Sequence, residues 1–155
     1  MTPETLIELA RDKGVMIATA ESCTGGLLAG ALTDAAGSSA VFERGFVTYS
    51  NAAKTEMLGV NPSLITSFGA VSEEVARAMA EGALAASNAA LTISVTGIAG
   101  PGGSDAKPEG RVCFGWAQAG GTSHVETVEF GAIGRAEVRR ATVAHALVLL
   151  GNALN

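Results

Sequence analysis

The chain has 155 residues, a length typical of one domain with its own hydrophobic core. Hydrophobic residues make up 48% of the chain and charged residues only 16%, so the composition excludes an intrinsically disordered protein. The net charge is −5 and there is no basic run, whereas a nucleic-acid-binding protein needs a basic face. We therefore expect no nucleic-acid partner, although a small basic pocket for one phosphate is compatible with this charge.

The cysteine content and the absence of long apolar segments exclude several further classes of protein. Two cysteines, Cys23 and Cys113, are too few for a disulfide framework or a four-ligand zinc site. Residues 1–10 lack the cationic start and apolar run of a secretory signal, and no stretch of about 18 uncharged apolar residues predicts a membrane span. We therefore expect a cytoplasmic protein that binds neither a membrane nor a metal.

Hydrophobic spacing and capping residues predict an alternating order of helices and strands. The first helix begins at Thr2-Pro3, where threonine caps and proline takes the first helical position, and ends at Gly14. The nearly all-apolar run 15–20 predicts a strand covered on both faces. The remaining predicted elements are a helix at 27–32, a strand at 42–48, a short helix from Ser50 or Asn51, a turn or short helix at Asn61-Pro62, a helix from Ser72-Glu73-Glu74, strands at 91–96, 111–118 and 123–130, and a last helix at 135–150. This order, without repeat or linker, predicts one α/β domain over 1–155 with helices on both sides of a mixed sheet.

Two glycine-rich segments each follow a predicted strand directly. They are Ser-Cys-Thr-Gly-Gly at 22–26 and Thr-Gly-Ile-Ala-Gly-Pro-Gly-Gly at 96–103, the second opening a longer polar loop. In α/β proteins ligands bind beyond the carboxyl ends of strands, and glycine lets them approach backbone N–H groups closely. The first segment also opens a helix, whose N–H groups favour an anion. One such turn is most often structural, but the pair indicates a binding site.

A nucleophile and a base can be sought around the first segment. Ser22 is the natural nucleophile, although the sequence alone slightly favours a helix-capping hydroxyl. Cys23 is the rival nucleophile, although a cysteine at such a position is more commonly a small buried residue of the core. His145 has the position of a structural residue and His124 that of an exposed hairpin residue, so a Ser-His-Asp triad is not expected. Lys54 follows the second strand by one helical turn, but spacing alone makes it a surface lysine unless desolvation or nearby positive charge lowers its pKa.

Four further polar residues have weaker claims to function. Tyr49 ends the strand before Lys54 and is placed to relay a proton or to donate to a substrate. Glu21 is placed to orient a neighbour or to cap a helix. Arg135 and Arg139 are four residues apart on the last helix, so they share a face that suits a phosphate, although a solvated face is the more ordinary interpretation.

Several longer motifs in series resemble the CinA C-terminal domain family. They cover nearly the whole chain, and a series of this length is far more specific than one glycine pair. In order, they are AESCTGG at 20–26, GSS at 37–39, FERGFVTYSN at 42–51 followed by Lys54, GAVS at 69–72, TGIAGPGG at 96–103, PEG at 108–110, and the arginine-bearing last helix.

This resemblance implies a three-layer α/β/α sandwich with a mixed, mostly parallel sheet. It also implies hydrolysis of a small-molecule nucleotide, nicotinamide mononucleotide, to nicotinic acid mononucleotide and ammonia without a metal or organic cofactor. Ser22 is then the nucleophile, Lys54 the base and Tyr49 an assisting group. The expected substrate-binding residues are Glu21, Cys23, Thr24, Gly25, Gly26, Thr96, Gly97, Ile98, Ala99, Gly100, Arg135 and Arg139.

Two features set this chain apart from many members. Family members usually have Gly-Asp-Arg before the last helix, whereas 131–135 reads Gly-Ala-Ile-Gly-Arg, so we expect weaker or altered phosphate binding. Many relatives carry the domain behind a larger N-terminal domain, and this chain, which begins at its own Met1, is expected to be the stand-alone form. Its apolar composition is compatible with a homodimer. The alternative to an enzyme is a nucleotide-binding or protein-interaction module, linked to competence and DNA damage, whose glycine loops bind without cleaving.

Overall fold

Six helices, one 3-10 turn and five strands make up the computed structural model, which describes residues 1–155. In chain order the elements are α1 (Pro3–Lys13), β1 (Ile17–Glu21), α2 (Leu27–Asp34), the 3-10 turn (Ser38–Ala40), β2 (Phe42–Val47), α3 (Asn51–Leu58), α4 (Pro62–Phe68), α5 (Glu73–Ala85), β3 (Leu91–Gly97), β4 (Arg111–Gln118), β5 (Ser123–Glu129) and α6 (Arg135–Leu154). The first helix follows its sequence signals: the Thr2 side chain accepts a hydrogen bond from the Thr5 N–H, and Gly14 ends the helix in the left-handed conformation.

The five strands form one mixed sheet in the order β2-β1-β3-β4-β5. β1 pairs in parallel with both β2 and β3, whereas the β3–β4 and β4–β5 pairs are antiparallel. Every residue of β1 is buried, and so is β3 up to its last residue, as expected of central strands that are covered on both faces. Parallel pairing brings the carboxyl ends of β1, β2 and β3 to one edge of the sheet, where the segments that follow them meet.

Helices cover both faces of this sheet. On one face α1, α2 and α6 enclose a core of 21 buried residues, among them Leu28, Ile93 and Leu150. On the other face α3, α4 and α5 enclose a smaller core of seven buried residues, among them Leu58 and Met79. The α/β/α sandwich with a mixed sheet is therefore confirmed. Parallel pairs are not the expected majority, however, because β4 runs antiparallel to β3 and β5 antiparallel to β4, which makes two pairs of each kind. None of the helices is long and apolar enough to cross a bilayer.

The helix that carries Lys54 is held against its neighbour by a close backbone approach. A Cβ atom at Gly82 of α5 would collide with the carbonyl oxygen of Leu58 in α3. Glycine is therefore required at this position for the two helices to reach their observed separation. The approach fixes α3 over the end of β2, which is where its lysine can reach the sheet edge.

Candidate active site

Ser22 and Lys54 meet at the carboxyl edge of the parallel strands. Ser22 directly follows β1, and its N–H donates to the Val95 carbonyl of β3 at 3.0 Å. Ser50 caps α3 by accepting from the Ala53 N–H, which starts the helix directly after β2. This short connection turns Lys54 back over the sheet, and its Nζ lies 3.0 Å from Ser22 Oγ. Spacing alone made Lys54 a surface residue, but it is only 1% exposed.

The Lys54 Nζ has two further oxygen neighbours, the carbonyls of Thr48 at 2.9 Å and Tyr49 at 3.3 Å. A neutral amine has two N–H groups and one lone pair, so the two carbonyls can accept the N–H groups while the lone pair faces the Ser22 hydroxyl. A protonated amine offers three N–H groups to the same three oxygens. A proton can therefore pass between serine and lysine without any change of partners.

Burial sets the protonation of this pair. The pKa of Lys54 is lowered, chiefly because removal from water disfavours the charged ammonium, and a smaller opposing effect comes from the nearby Cys23. A lowered pKa increases the fraction of neutral amine near neutral pH. Lys54 thus meets the two requirements of a general base, which are hydrogen-bonding distance to the proton it takes and a pKa moved towards the working pH.

Cys23 has the properties of a structural residue. Its side chain is buried, and burial raises the pKa of the thiol to about 12. The thiolate is the nucleophilic form of cysteine, and at this pKa almost none of it exists near neutral pH. The thiol faces Gly97 of β3, where an added Cβ would lie 3.2 Å from Sγ. These features argue against the rival nucleophile.

The turn that follows Ser22 contains backbone N–H groups without a hydrogen-bond partner in the protein. Gly25 and Gly26 have φ values of 56° and 107°, which glycine adopts without strain. The Gly25 N–H donates to the Ser22 carbonyl at 3.1 Å, whereas the N–H groups of Cys23, Thr24 and Gly26 make no hydrogen bond within the protein. Backbone donors beside a nucleophile suit an oxyanion that forms on the attacked carbonyl.

Glu21 supports this turn from beneath. Its buried carboxylate accepts hydrogen bonds from the Thr24 hydroxyl at 2.6 Å, the Leu28 N–H at 2.8 Å and the Ala29 N–H at 3.0 Å. The last two donors belong to the first turn of α2, whose N–H groups have no partner within the helix. The carboxylate accepts their hydrogen bonds, which Gly26 at the cap position cannot do because it has no side chain. All three bonds are internal, and they make Glu21 a helix-capping residue rather than a substrate-facing one.

The end of β3 and the residues that follow it contribute buried and half-buried groups. The Thr96 hydroxyl donates to the Ala70 carbonyl at 2.8 Å, Ala99 is buried, and Ile98 is half-buried against a small apolar cluster. Gly97 is so closely packed that an added Cβ would lie 2.7 Å from a Val112 methyl group. Only Gly100 meets a charged group of the site, through its carbonyl oxygen.

Arg135 connects two walls of the site. Its guanidinium donates to the Gly100 carbonyl at 2.7 Å and to the Tyr49 hydroxyl oxygen at 2.9 Å. Tyr49 is 59% exposed, and its hydroxyl makes no hydrogen bond with Ser22 or Lys54. The structure therefore brings the Tyr49 carbonyl, rather than its hydroxyl, to the lysine.

Arg139 lies one turn further along α6 and reaches the turn after Ser22 instead. Its Nε donates to the Cys23 carbonyl at 3.1 Å and its Nη2 to the Thr24 carbonyl at 3.2 Å. The two arginines share one helix face, as their spacing predicts, but each binds a different part of the site. Arg135 is exposed, whereas Arg139 is half-buried.

Sequence reasoning missed the contributions that come from backbone atoms. The carbonyls of Thr48 and Tyr49 hold the lysine, and no residue-type signal marks a carbonyl. It also missed the anchoring role of Lys107, whose ammonium donates to the carbonyls of Phe68 and Val71 and so ties the β3–β4 loop to the segment before α5.

Other polar features lie away from the Ser22–Lys54 pair. Neither residue lines any of the four surface cavities, whose volumes are about 320, 350, 370 and 420 Å³. His124 stacks on Trp116, and His145 packs edge-on against Phe114, so neither histidine bonds to the serine. No three His, Cys, Asp or Glu side chains lie together in an arrangement that could hold a metal ion.

Comparison with known proteins places this arrangement in a family. The sequence model of the CinA C-terminal domain matches residues 2–154. The nicotinamide-nucleotide amidohydrolase PncC of Escherichia coli K12 is 48% identical over an alignment of 158 positions, which covers 97% of this chain and 95% of that protein. The protein of the same name from Enterobacter agglomerans is 61% identical over 106 residues, covering 68% of this chain and 65% of that protein.

Longer relatives and a solved structure agree with this match. A CinA-like protein of Mycolicibacterium gilvum is 53% identical over 143 residues, or 92% of this chain, but the chain spans only 34% of that protein's length. The crystal structure of competence/damage inducible protein CihA from Agrobacterium tumefaciens superposes with a TM-score of 0.90 at 52% identity, covering 100% of this chain and 98% of that one. Since family model, sequence relatives and fold agree over nearly its whole length, the chain belongs to the CinA C-terminal domain family.

Proposed function

We propose that this protein hydrolyses the carboxamide of nicotinamide mononucleotide to nicotinic acid mononucleotide and ammonia. The observation that carries the proposal is the 3.0 Å contact between Ser22 Oγ and the Nζ of a buried lysine, Lys54. A serine paired with a desolvated lysine is an established arrangement for acyl transfer. The substrate is proposed from the relatives named nicotinamide-nucleotide amidohydrolase.

Acylation begins when the neutral Lys54 amine takes the proton of Ser22. The serine oxygen attacks the carboxamide carbon, and the unpartnered N–H groups of Cys23 and Gly26 are the proposed donors to the oxyanion. One well-placed donor contributes on the order of 3 kcal/mol to such a transition state. The Lys54 ammonium then protonates the amide nitrogen, the C–N bond breaks and ammonia leaves. The positive charge on the pyridinium ring assists the attack by withdrawing electrons from the amide.

Deacylation reverses the proton path. Lys54, now neutral again, takes a proton from water, and the resulting hydroxide attacks the acyl carbon. The bond to Ser22 Oγ breaks, and the lysine returns the proton to the serine. In both half-reactions the Thr48 and Tyr49 carbonyls keep the amine in place, which is how Tyr49 assists in this mechanism.

The remainder of the nucleotide lies across the exposed surface between Tyr49 and Arg135. Arg135 is the stronger candidate for the phosphate because it is exposed and sits in the first turn of α6. Gly134 takes the cap position of this helix and provides no side-chain hydrogen bond.

Ammonia release from nicotinamide mononucleotide, measured with a metal chelator present, tests the proposal. The wild-type protein is expected to release ammonia, and Ser22→Ala is expected to lose about a thousandfold or more in rate while still binding the nucleotide. Lys54→Met should lose activity similarly, whereas Lys13→Met, which removes an exposed lysine at the end of α1, is the matched control. No release by folded wild-type protein, or full activity in Ser22→Ala, would refute the proposal.

A further inference from the structure

The guanidinium of Arg139 contacts the main chain immediately after the proposed nucleophile. Its Nε and Nη2 donate to two successive carbonyls, those of Cys23 and Thr24, at 3.1 and 3.2 Å. We propose that Arg139 is a positioning residue, which fixes the conformation of the turn after Ser22 and so keeps the serine and the unpartnered N–H groups of Cys23 and Gly26 in place. The proposal deepens the proposed function, because it concerns the same Ser22 turn.

Peptide geometry links each of the two carbonyls to the N–H group that follows it in the chain. A trans peptide is planar, and its C=O and the following N–H point in opposite directions. When Arg139 holds the Cys23 carbonyl, the N–H of the buried Thr24 is therefore directed away from α6. Holding the Thr24 carbonyl likewise directs the Gly25 N–H, which donates to the Ser22 carbonyl. One side chain thus orients both peptide units of the turn.

The turn needs an external support of this kind. Gly25 and Gly26 both have positive φ and carry no side chain that could anchor them. A Cβ built on Gly25 would lie 3.6 Å from Arg139 Nη2, so the guanidinium lies directly against this glycine. Glu21 holds the other side of the turn through the Thr24 hydroxyl. The turn is therefore held between a carboxylate beneath it and a guanidinium from α6.

Arginine suits this task better than lysine. The guanidinium presents its N–H groups in a rigid planar fork, which matches two neighbouring carbonyls, whereas an ammonium is a compact group on a flexible stem. Two of the N–H groups of Arg139 are already used by the protein, and the side chain is half-buried. Arg135, which is exposed, is better placed for the phosphate. The positioning role and a phosphate-binding role for Arg139 predict different experimental results.

Two measurements test the positioning role. Amide hydrogen exchange in Arg139→Ala is expected to be about tenfold faster at Gly25 and Leu27, whose N–H groups bond to the Ser22 and Thr24 carbonyls within the turn. A fluorophosphonate probe phosphonylates a reactive serine as its P–F bond breaks, and it has no nucleotide phosphate. Its rate at Ser22 is expected to fall about tenfold to hundredfold in Arg139→Ala, with a smaller loss in Arg139→Lys.

Arg140→Ala is the matched control, since this neighbouring arginine is exposed and pairs with Glu137 at the surface. It should keep the wild-type exchange and labelling rates.

If Arg139→Ala does not fold, Arg139→Lys decides the outcome. Unchanged amide exchange in the folded variant overturns the proposal, whatever the substrate of the enzyme. A raised KM for nicotinamide mononucleotide with normal exchange and labelling would assign Arg139 to the phosphate instead. Failure of ammonia release with normal labelling of wild-type Ser22 refutes only the proposed substrate.

Discussion

Replacing Glu21 with glutamine tests whether this residue builds the site or binds substrate. The buried carboxylate accepts three hydrogen bonds, from the Thr24 hydroxyl and from the N–H groups of Leu28 and Ala29. Glutamine has the same shape but only one acceptor oxygen, so its NH₂ group must face one of these donors. Losing a hydrogen bond to a charged group costs about 1.5–3 kcal/mol, and losing the negative charge at the start of α2 costs up to about 1 kcal/mol more. We therefore expect Glu21→Gln to lower the free energy of unfolding by about 3 kcal/mol.

Thermal unfolding followed by circular dichroism measures this loss. For a chain of this size, 1 kcal/mol corresponds to about 2–4 °C in Tm, so the expected decrease is about 6–12 °C. Glu8→Gln is the matched control, because Glu8 is exposed on α1 and should leave Tm within about 2 °C. An unchanged Tm in Glu21→Gln, together with a raised KM for the nucleotide, would refute the helix-capping role and assign the carboxylate to substrate binding.

Three further predictions concern the base, the thiol and helix packing. Burial lowers the pKa of Lys54 and the neutral amine is the active form, so the rate of ammonia release should rise with pH and level off below the ordinary lysine pKa. Lys54→Arg should stay inactive at every pH. A rate that falls as the pH rises would contradict this mechanism. Cys23→Ala should keep ammonia release within about threefold of wild type, since a thiol with a pKa of about 12 supplies no nucleophile. In chemical denaturation, Gly82→Ala should lower the free energy of unfolding by about 1–3 kcal/mol, because the added Cβ meets the Leu58 carbonyl. The control Gly30→Ala has open space around the added Cβ and should raise the free energy of unfolding by about 0.5–1 kcal/mol. Equal changes in the two variants would show that the packing of α3 on α5 does not need the glycine.

Local signals in the sequence predicted most elements of the fold. Thr2, Ser50 and Ser72 are capping residues whose side chains accept bonds from the helix N–H groups, as their types and positions indicate. The predicted bounds of the first strand differ from the observed ones. β1 spans Ile17–Glu21 rather than 15–20, because the parallel register with β3 begins at Ile17. Hydrophobic alternation describes which face is buried, but pairing with neighbouring strands decides where a strand starts and ends.

The chemistry of the site was only partly visible in the residues. The sequence placed Ser22 and the glycine pair at a strand end, beside backbone donors, and the family resemblance named Lys54 as the base. Nothing in the sequence brings Lys54 to Ser22, 32 positions earlier. The parallel pairing of β1 with β2, the immediate start of α3 and its contact with α5 through Gly82 together place the amine there.

Residue types therefore determined the local elements and the candidate groups, while the tertiary structure decided their roles. For Glu21 the sequence indicated an orienting or helix-capping group and the family resemblance a substrate ligand, and the three donors around its carboxylate show the cap. For Arg139 the sequence left a solvated helix face and a phosphate ligand open, and the structure instead shows its guanidinium on two carbonyls. Lys54 reads as a surface lysine until packing removes it from water. The physical reason is common to all three: capping and hydrophobic periodicity act between near neighbours in sequence, whereas desolvation and hydrogen-bond partners depend on atoms that only the folded chain brings together.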